Sequence, residues 1–158
     1  MKKKNCINAM DTFSRLANSL NKFPGTVNII TVAPEAIIRS IAENKDPEDA
    51  ISVLYRDLID LADFLHITYL ECLMFVPIYA LQIRNQRPVS WNEVCDFLRF
   101  DAVKKLPLRK YVSSLVEKGK LCCKNTDEKL AFRKYTVSNA VEISMQDNKL
   151  HRVAGPSV

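Results

Sequence analysis

Glycine occurs three times in 158 residues, at Gly25, Gly119 and Gly155. Tight turns and phosphate-cradling loops use backbone conformations that glycine adopts without steric cost, so a fold of many such turns is disfavoured and a helix-rich one is expected. The short signatures of nucleotide and acyl chemistry are missing: there is no G-x-x-x-x-G-K-[ST], no G-x-G-x-x-G and no G-x-S-x-G, and H-E-x-x-H is absent as well. The sequence therefore points away from an enzyme and implies no cofactor. Apolar residues make up 47% of the chain and charged residues 26%, enough for a core, and the length suits one domain with at most an appended helical segment.

Net charge is +5, unevenly spread. Residues 1–80 carry 8 Lys/Arg against 10 Asp/Glu, a balance of −2, whereas residues 81–158 carry 15 against 8, a balance of +7. Lys104 to Lys134 alone holds ten basic residues and three acidic ones, Glu117, Asp127 and Glu128. A polyanionic partner is expected to meet the chain there.

The five cysteines (Cys6, Cys72, Cys95, Cys122, Cys123) form no C-x-x-C, and no secretory signal precedes them, which suggests reduced thiols in a cytoplasm. No metal site is expected, because His66 and His151 are far apart and adjacent cysteines on a strand point to opposite faces. The most apolar run, ITYLECLMFVPIYALQI at Ile67–Ile83, contains Glu71 and Pro77 and follows Asp63 and His66. It reads as a helix buried in a core, with no membrane partner.

Along the chain, Lys2, Lys3 and Lys4 read as a frayed terminus. Phe13, Leu16, Ala17 and Leu20 recur at helical spacing from Asp11, and Phe23-Pro24-Gly25 ends that pattern. Val27–Val32 is β-like in composition, and Pro34 suits the first turn of a helix through Ile41. Asp46-Pro47-Glu48-Asp49 predicts the start of a long helix to about Leu65, with a stripe of Ile51, Leu54, Tyr55, Leu58, Leu61, Ala62 and Leu65. Thr68 with Glu71, and Ser90 with Glu93, have capping-box spacing and predict two further helix starts.

Pro107 opens another helix, which Gly119 ends in the left-handed conformation. Leu121–Lys124, the polar turn Asn125-Thr126-Asp127-Glu128 and Leu130–Val137 then predict a two-stranded hairpin with a slip between Phe132 and Tyr135. Phe132 and Tyr135 are expected to seat the hairpin on the helices, Trp91 to anchor the core, and Ser138 to cap a last short helix.

Helix 68–85, short helix 91–99, helix 108–118 and hairpin 121–137 form an order that resembles winged-helix domains. The residues carrying it are Ser90-Trp91-Asn92-Glu93, Leu115-Val116-Glu117-Lys118-Gly119-Lys120-Leu121 and Tyr135-Thr136-Val137-Ser138. The resemblance implies a mainly α fold, a winged helix-turn-helix with a C-terminal β-hairpin wing and an N-terminal helical extension. The corresponding divisions are 1–66, an N-terminal helical extension; 67–145, a winged-helix domain; and 146–158, a flexible tail. An acidic helical segment ahead of such a domain is also similar to regions that precede the ATPase core in some bacterial AAA-type proteins.

On helix 108–118, Leu108, Val112, Leu115 and Val116 share one face, and Arg109, Lys110, Ser113, Ser114 and Glu117 the other. In the resembled family this helix enters the major groove, which implies that Arg109 and Lys110 reach phosphates or guanine edges and that Ser113 and Ser114 donate to phosphate. Lys104 and Lys105 would grip a phosphate. Lys124 and Lys129 near the wing tip, with Arg133 and Lys134 on the return strand, would meet the backbone or the minor groove. The implied partner is double-stranded DNA. The competing reading is a protein-docking or oligomerisation module, with a homodimer as one form and the N-terminal part of an AAA-type ATPase as another. Glu117, Asp127 and Glu128 would repel DNA at two points of the proposed surface.

Overall fold

The computed structural model describes residues 6–44, 46, 48–129, 132–147 and 150–151. The expected frayed terminus at Lys2–Lys4, Pro47 as a helix start, and Leu130 in the hairpin lie outside the described residues, as do residues 152–158 of the tail. Among the described residues the chain is mainly helical, with a small three-stranded antiparallel sheet.

Helix α1 (Ala9–Lys22) is capped by Asn8, whose side chain accepts the Asp11 N–H at 2.9 Å, and it buries Phe13, Leu16 and Leu20. The Phe23-Pro24-Gly25 break is a joint between helices: α2 (Pro24–Val32) starts at once, in place of the β-like run that composition suggests. Pro24 fits the first helical turn, and Val27 and Ile30, three residues apart, bury on one side, so packing overrides the preference of β-branched residues for strands. Helix α3 (Glu35–Asn44) follows Pro34 as expected.

Helix α4 (Ala50–Leu65) is capped by Asp49, which accepts the Ser52 N–H, while Asp46 holds the preceding turn through the Glu48 N–H. Helix α5 (Tyr69–Asn85) and helix α6 (Trp91–Leu98) both open on complete capping boxes. Thr68 N–H donates to Glu71 Oε1 at 2.9 Å and Ser90 N–H to Glu93 Oε1 at 3.0 Å, with the reciprocal side-chain bonds made in each case.

Helix α5 is the axis of the molecule. Leu73, Met74, Phe75, Val76, Ile78 and Tyr79 are consecutive or nearly so and all buried, so the helix is wrapped on every side. Helices α1, α4 and α6 lie against it. Phe13 of α1 meets Tyr79 with ring centroids 4.9 Å apart. Arg15 of α1 forks onto the buried Asp57 of α4, with contacts of 2.9 and 3.0 Å. Trp91 is buried, in the anchoring position expected of it. No single helix among the described residues is long and apolar enough to cross a membrane; α4 and α5 would suffice only as a pair, and they are bent by 92° at their junction.

Scarce glycine has a visible consequence at the helix ends. His66, Gln86 and Arg99 end α4, α5 and α6 in the left-handed region, at φ of 58°, 57° and 62°, where an L side chain is strained. After Arg99 the chain closes with Phe100 N–H donating to the Cys95 carbonyl at 2.8 Å. Arg99→Gly is expected to raise stability by about 0.5 kcal/mol, the relief of roughly 1 kcal/mol of strain being partly offset by the freer unfolded chain. The midpoint of urea unfolding reads this directly.

Strands β2 (Val89–Ser90), β3 (Leu121–Cys123) and β4 (Lys134–Val137) form the sheet in the order β2-β4-β3, with Val89 opposite Tyr135 and Leu121 opposite Val137. Strand β2 has no counterpart among the elements expected from the sequence. Helix α8 (Asn139–Gln146) follows, with Ser138 at its start but making no capping bond through its side chain. Within the segment expected to be a loose tail, Leu150–His151 pairs antiparallel with β1 (Cys6–Ile7). Tyr135 is buried against the helices as expected, but Phe132 is 63% exposed and seats nothing.

Candidate nucleic-acid interface

A 3-10 turn at Leu106–Leu108 leads into helix α7 (Arg109–Glu117), one residue later than the sequence suggests. Val112 and Leu115 are buried, and the helix lies against α5 and β3. Gly119, at φ 77°, ends it, with the Lys120 N–H returning to the Leu115 carbonyl at 2.9 Å. That tight exit sets the start of β3.

The residues expected to touch DNA separate into two groups. Lys104 and Lys110 are exposed, as are Lys124, Lys129 and Lys134 of the hairpin. Lys105, Arg109 and Ser113 are half-buried. Two of the ammonium groups lie over neighbouring rings: Lys105 is 5.0 Å from the Phe100 centroid and Lys110 5.2 Å from that of Tyr111. Among the described residues none of these cations is in an ion pair with a carboxylate.

Ser114 and Arg133 form the second group. Helical spacing assigns Ser114 to the outer face of α7, but its hydroxyl donates inward to the Glu71 carboxylate. Its helical position borders Leu115, and a buried carboxylate beside it supplies the acceptor. Arg133 is a strut within the hairpin: its Nε donates to the Glu128 carbonyl and its Nη2 to the Thr126 carbonyl, both at 3.0 Å. Asn125 works with it, donating to the Phe132 carbonyl at 3.0 Å and accepting the Lys134 N–H at 2.7 Å. Asn125 and Arg133 thereby brace the described part of the turn between β3 and β4.

Glu71 caps α5, as its spacing from Thr68 predicts, and it also anchors α7. It is 3% exposed and accepts from the Thr68 N–H, from Ser114 and from Lys118 Nζ at 2.7 Å. Burial pushes its carboxyl pKa up, yet the Lys118 and Ser114 bonds and the Thr68 N–H outweigh burial and hold it below the ordinary carboxylate value. Lys118, one of the ten cations of the basic segment, is thus committed to the interior contact. The sequence carries half of this signal: an acid within an apolar run demands a partner, but nothing local says that the partner lies 47 residues on.

Chemically the surface offers dispersed positive charge and hydrogen-bond donors. Among the described residues no group of three His, Cys, Asp or Glu side chains is placed to hold a metal ion. Glu117, Asp127 and Glu128 are exposed beside the cations, so the surface is positive on balance and not throughout. Compared with family models, with curated proteins and with solved structures, the chain matches none of them.

Proposed function

We propose that the chain binds double-stranded DNA, without catalysing a reaction, through the first turn of α7 and the β3–β4 hairpin in the manner of a winged helix. The observation that carries this reading is a set of cations with no carboxylate partner among the described residues, on both elements: Arg109 and Lys110 on the helix, and Lys124, Lys129 and Lys134 on the hairpin, with Lys104 just ahead of the helix. Four basic side chains elsewhere, Arg15, Arg39, Arg87 and Lys118, are instead held in ion pairs. A hairpin beside a basic helix also fits a duplex, whose phosphates flank the groove that a helix can enter. The order of helix, short helix, helix and flap supports the same reading.

Anisotropy titration of a labelled mixed-sequence duplex tests it. Arg109→Ala with Lys110→Ala is expected to weaken binding by at least about thirtyfold, taking roughly 1–3 kcal/mol for each base or phosphate interaction that is removed. Unchanged affinity in a folded double variant would overturn the reading.

One observation favours a docking surface as a second reading. Ile29 and Val32 of α2 and Ile37 of α3 are at least half exposed on neighbouring helices, at 52%, 78% and 50%. A protein partner or a larger AAA-type assembly would cover such residues.

A further inference from the structure

We infer that Phe132 is a stacking residue, held out from the hairpin so that its ring lies against a nucleobase. The inference rests on nucleic-acid binding by α7 and the hairpin, and it adds a contact of a different chemistry from the cations.

A phenylalanine that is 63% exposed leaves most of its ring in water. A flexible loop could fold such a ring onto the nearby apolar surface, but the described backbone beside it is held by hydrogen bonds. The Phe132 N–H donates to the Lys129 carbonyl at 2.9 Å, and its carbonyl accepts from Asn125 at 3.0 Å. On the following residues, Arg133 forks onto the Thr126 and Glu128 carbonyls, and the Lys134 N–H closes on Asn125 at 2.7 Å. Five hydrogen bonds therefore hold the described backbone on which this exposed ring is carried.

The surroundings select the occupant. An exposed aromatic among apolar neighbours would suit a protein or a lipid surface, but the described residues of this turn and its strands carry the exposed cations Lys124, Lys129 and Lys134 against two exposed acids, Asp127 and Glu128, a balance of +1. Positive charge attracts a polyanion, and a polyanion that also carries flat π faces is a nucleic acid. Aromatic side chains interleaved with cations serve this purpose on base-stacking surfaces, and apolar wedges open base steps in duplexes. The base could belong to an opened step of a duplex or to an unpaired strand. The chemistry recognised is the same.

The test uses the full chain, with 2-aminopurine placed in a duplex and in the matching single strand. Phe132→Ala is expected to weaken binding roughly 5- to 150-fold, the range for removal of one base–aromatic stack, and to abolish the change in 2-aminopurine fluorescence on binding. The salt dependence should stay as in the parent, because no cation is removed. Phe132→Trp should restore the affinity. A larger loss on the duplex identifies a wedge at a base step, and a larger loss on the single strand identifies an unpaired base.

Parental affinity of Phe132→Ala, with binding still weakened by Arg109→Ala and Lys110→Ala, would overturn the stacking role and leave the DNA-binding reading standing. A parent chain that binds neither nucleic acid would overturn both. A lowered melting temperature of Phe132→Ala would assign the ring to packing and also overturn the inference.

Discussion

Raising monovalent salt from 50 to 200 mM is expected to weaken binding of the chain to mixed-sequence duplex DNA by about three orders of magnitude. On the proposed reading six cations would meet phosphates, namely Lys104, Arg109, Lys110, Lys124, Lys129 and Lys134, and among the described residues none is in an ion pair with a carboxylate. Each phosphate neutralised releases counterions, so the slope of log affinity against log salt should lie near about −5. Arg109→Ala with Lys110→Ala should make that slope shallower by about two. Lys118→Met should leave it unchanged, because that ammonium is spent on Glu71. The measurement is a set of titrations at four or more salt concentrations, and a slope near zero with binding retained would remove the electrostatic account.

Glu71→Ala is expected to destabilise the fold by about 2–3 kcal/mol in urea unfolding. The carboxylate closes the capping box of α5 and is the acceptor for Ser114, so its loss removes a cap and strands a hydroxyl near the core. Lys118 adds little to the sum, since its side chain is 41% exposed and its charge can return to water. Acidification should act in the same direction. The folded pKa of Glu71 lies below the ordinary value of 4.5, so its contribution is complete above that value and is lost as pH falls through the folded one.

Glu93 behaves alike, held down by the Arg87 hydrogen bond against a smaller effect of burial. Asp57 runs the other way: burial outweighs its bonds to Arg15 and raises its pKa, so its contribution to stability falls as pH rises through that value. Glu71→Gln should therefore lose less stability than the parent between about pH 6 and pH 3, which melting curves at several pH values would show.

Local signals suffice where one or two residues decide the outcome. The boxes at Thr68–Glu71 and Ser90–Glu93 place α5 and α6 to within a residue, and Gly119 marks the end of α7. The β-like run at Val27 misleads because a nine-residue helix takes its state from what it packs against, and no neighbour is visible in sequence. Strand β2 is two residues long and exists only by pairing with Tyr135 and Lys134, more than forty residues away.

Among the site residues, helical spacing puts Arg109 and Lys110 on the side away from Val112 and Leu115, and they are not among the buried residues. The same spacing cannot show that Ser114 answers a carboxylate from another helix, nor that Arg133 closes its own turn. Those are contacts between distant or irregular backbone, for which spacing carries no information.

Because α5 is greasy around its circumference from Leu73 to Tyr79, the helices before it cannot be shed. A fragment beginning at residue 67 would leave one flank of that rod open to water and would clump before it met a ligand. The amino-terminal helices are its missing wall, and α7, which leans on the same rod, keeps its footing only while that wall stands.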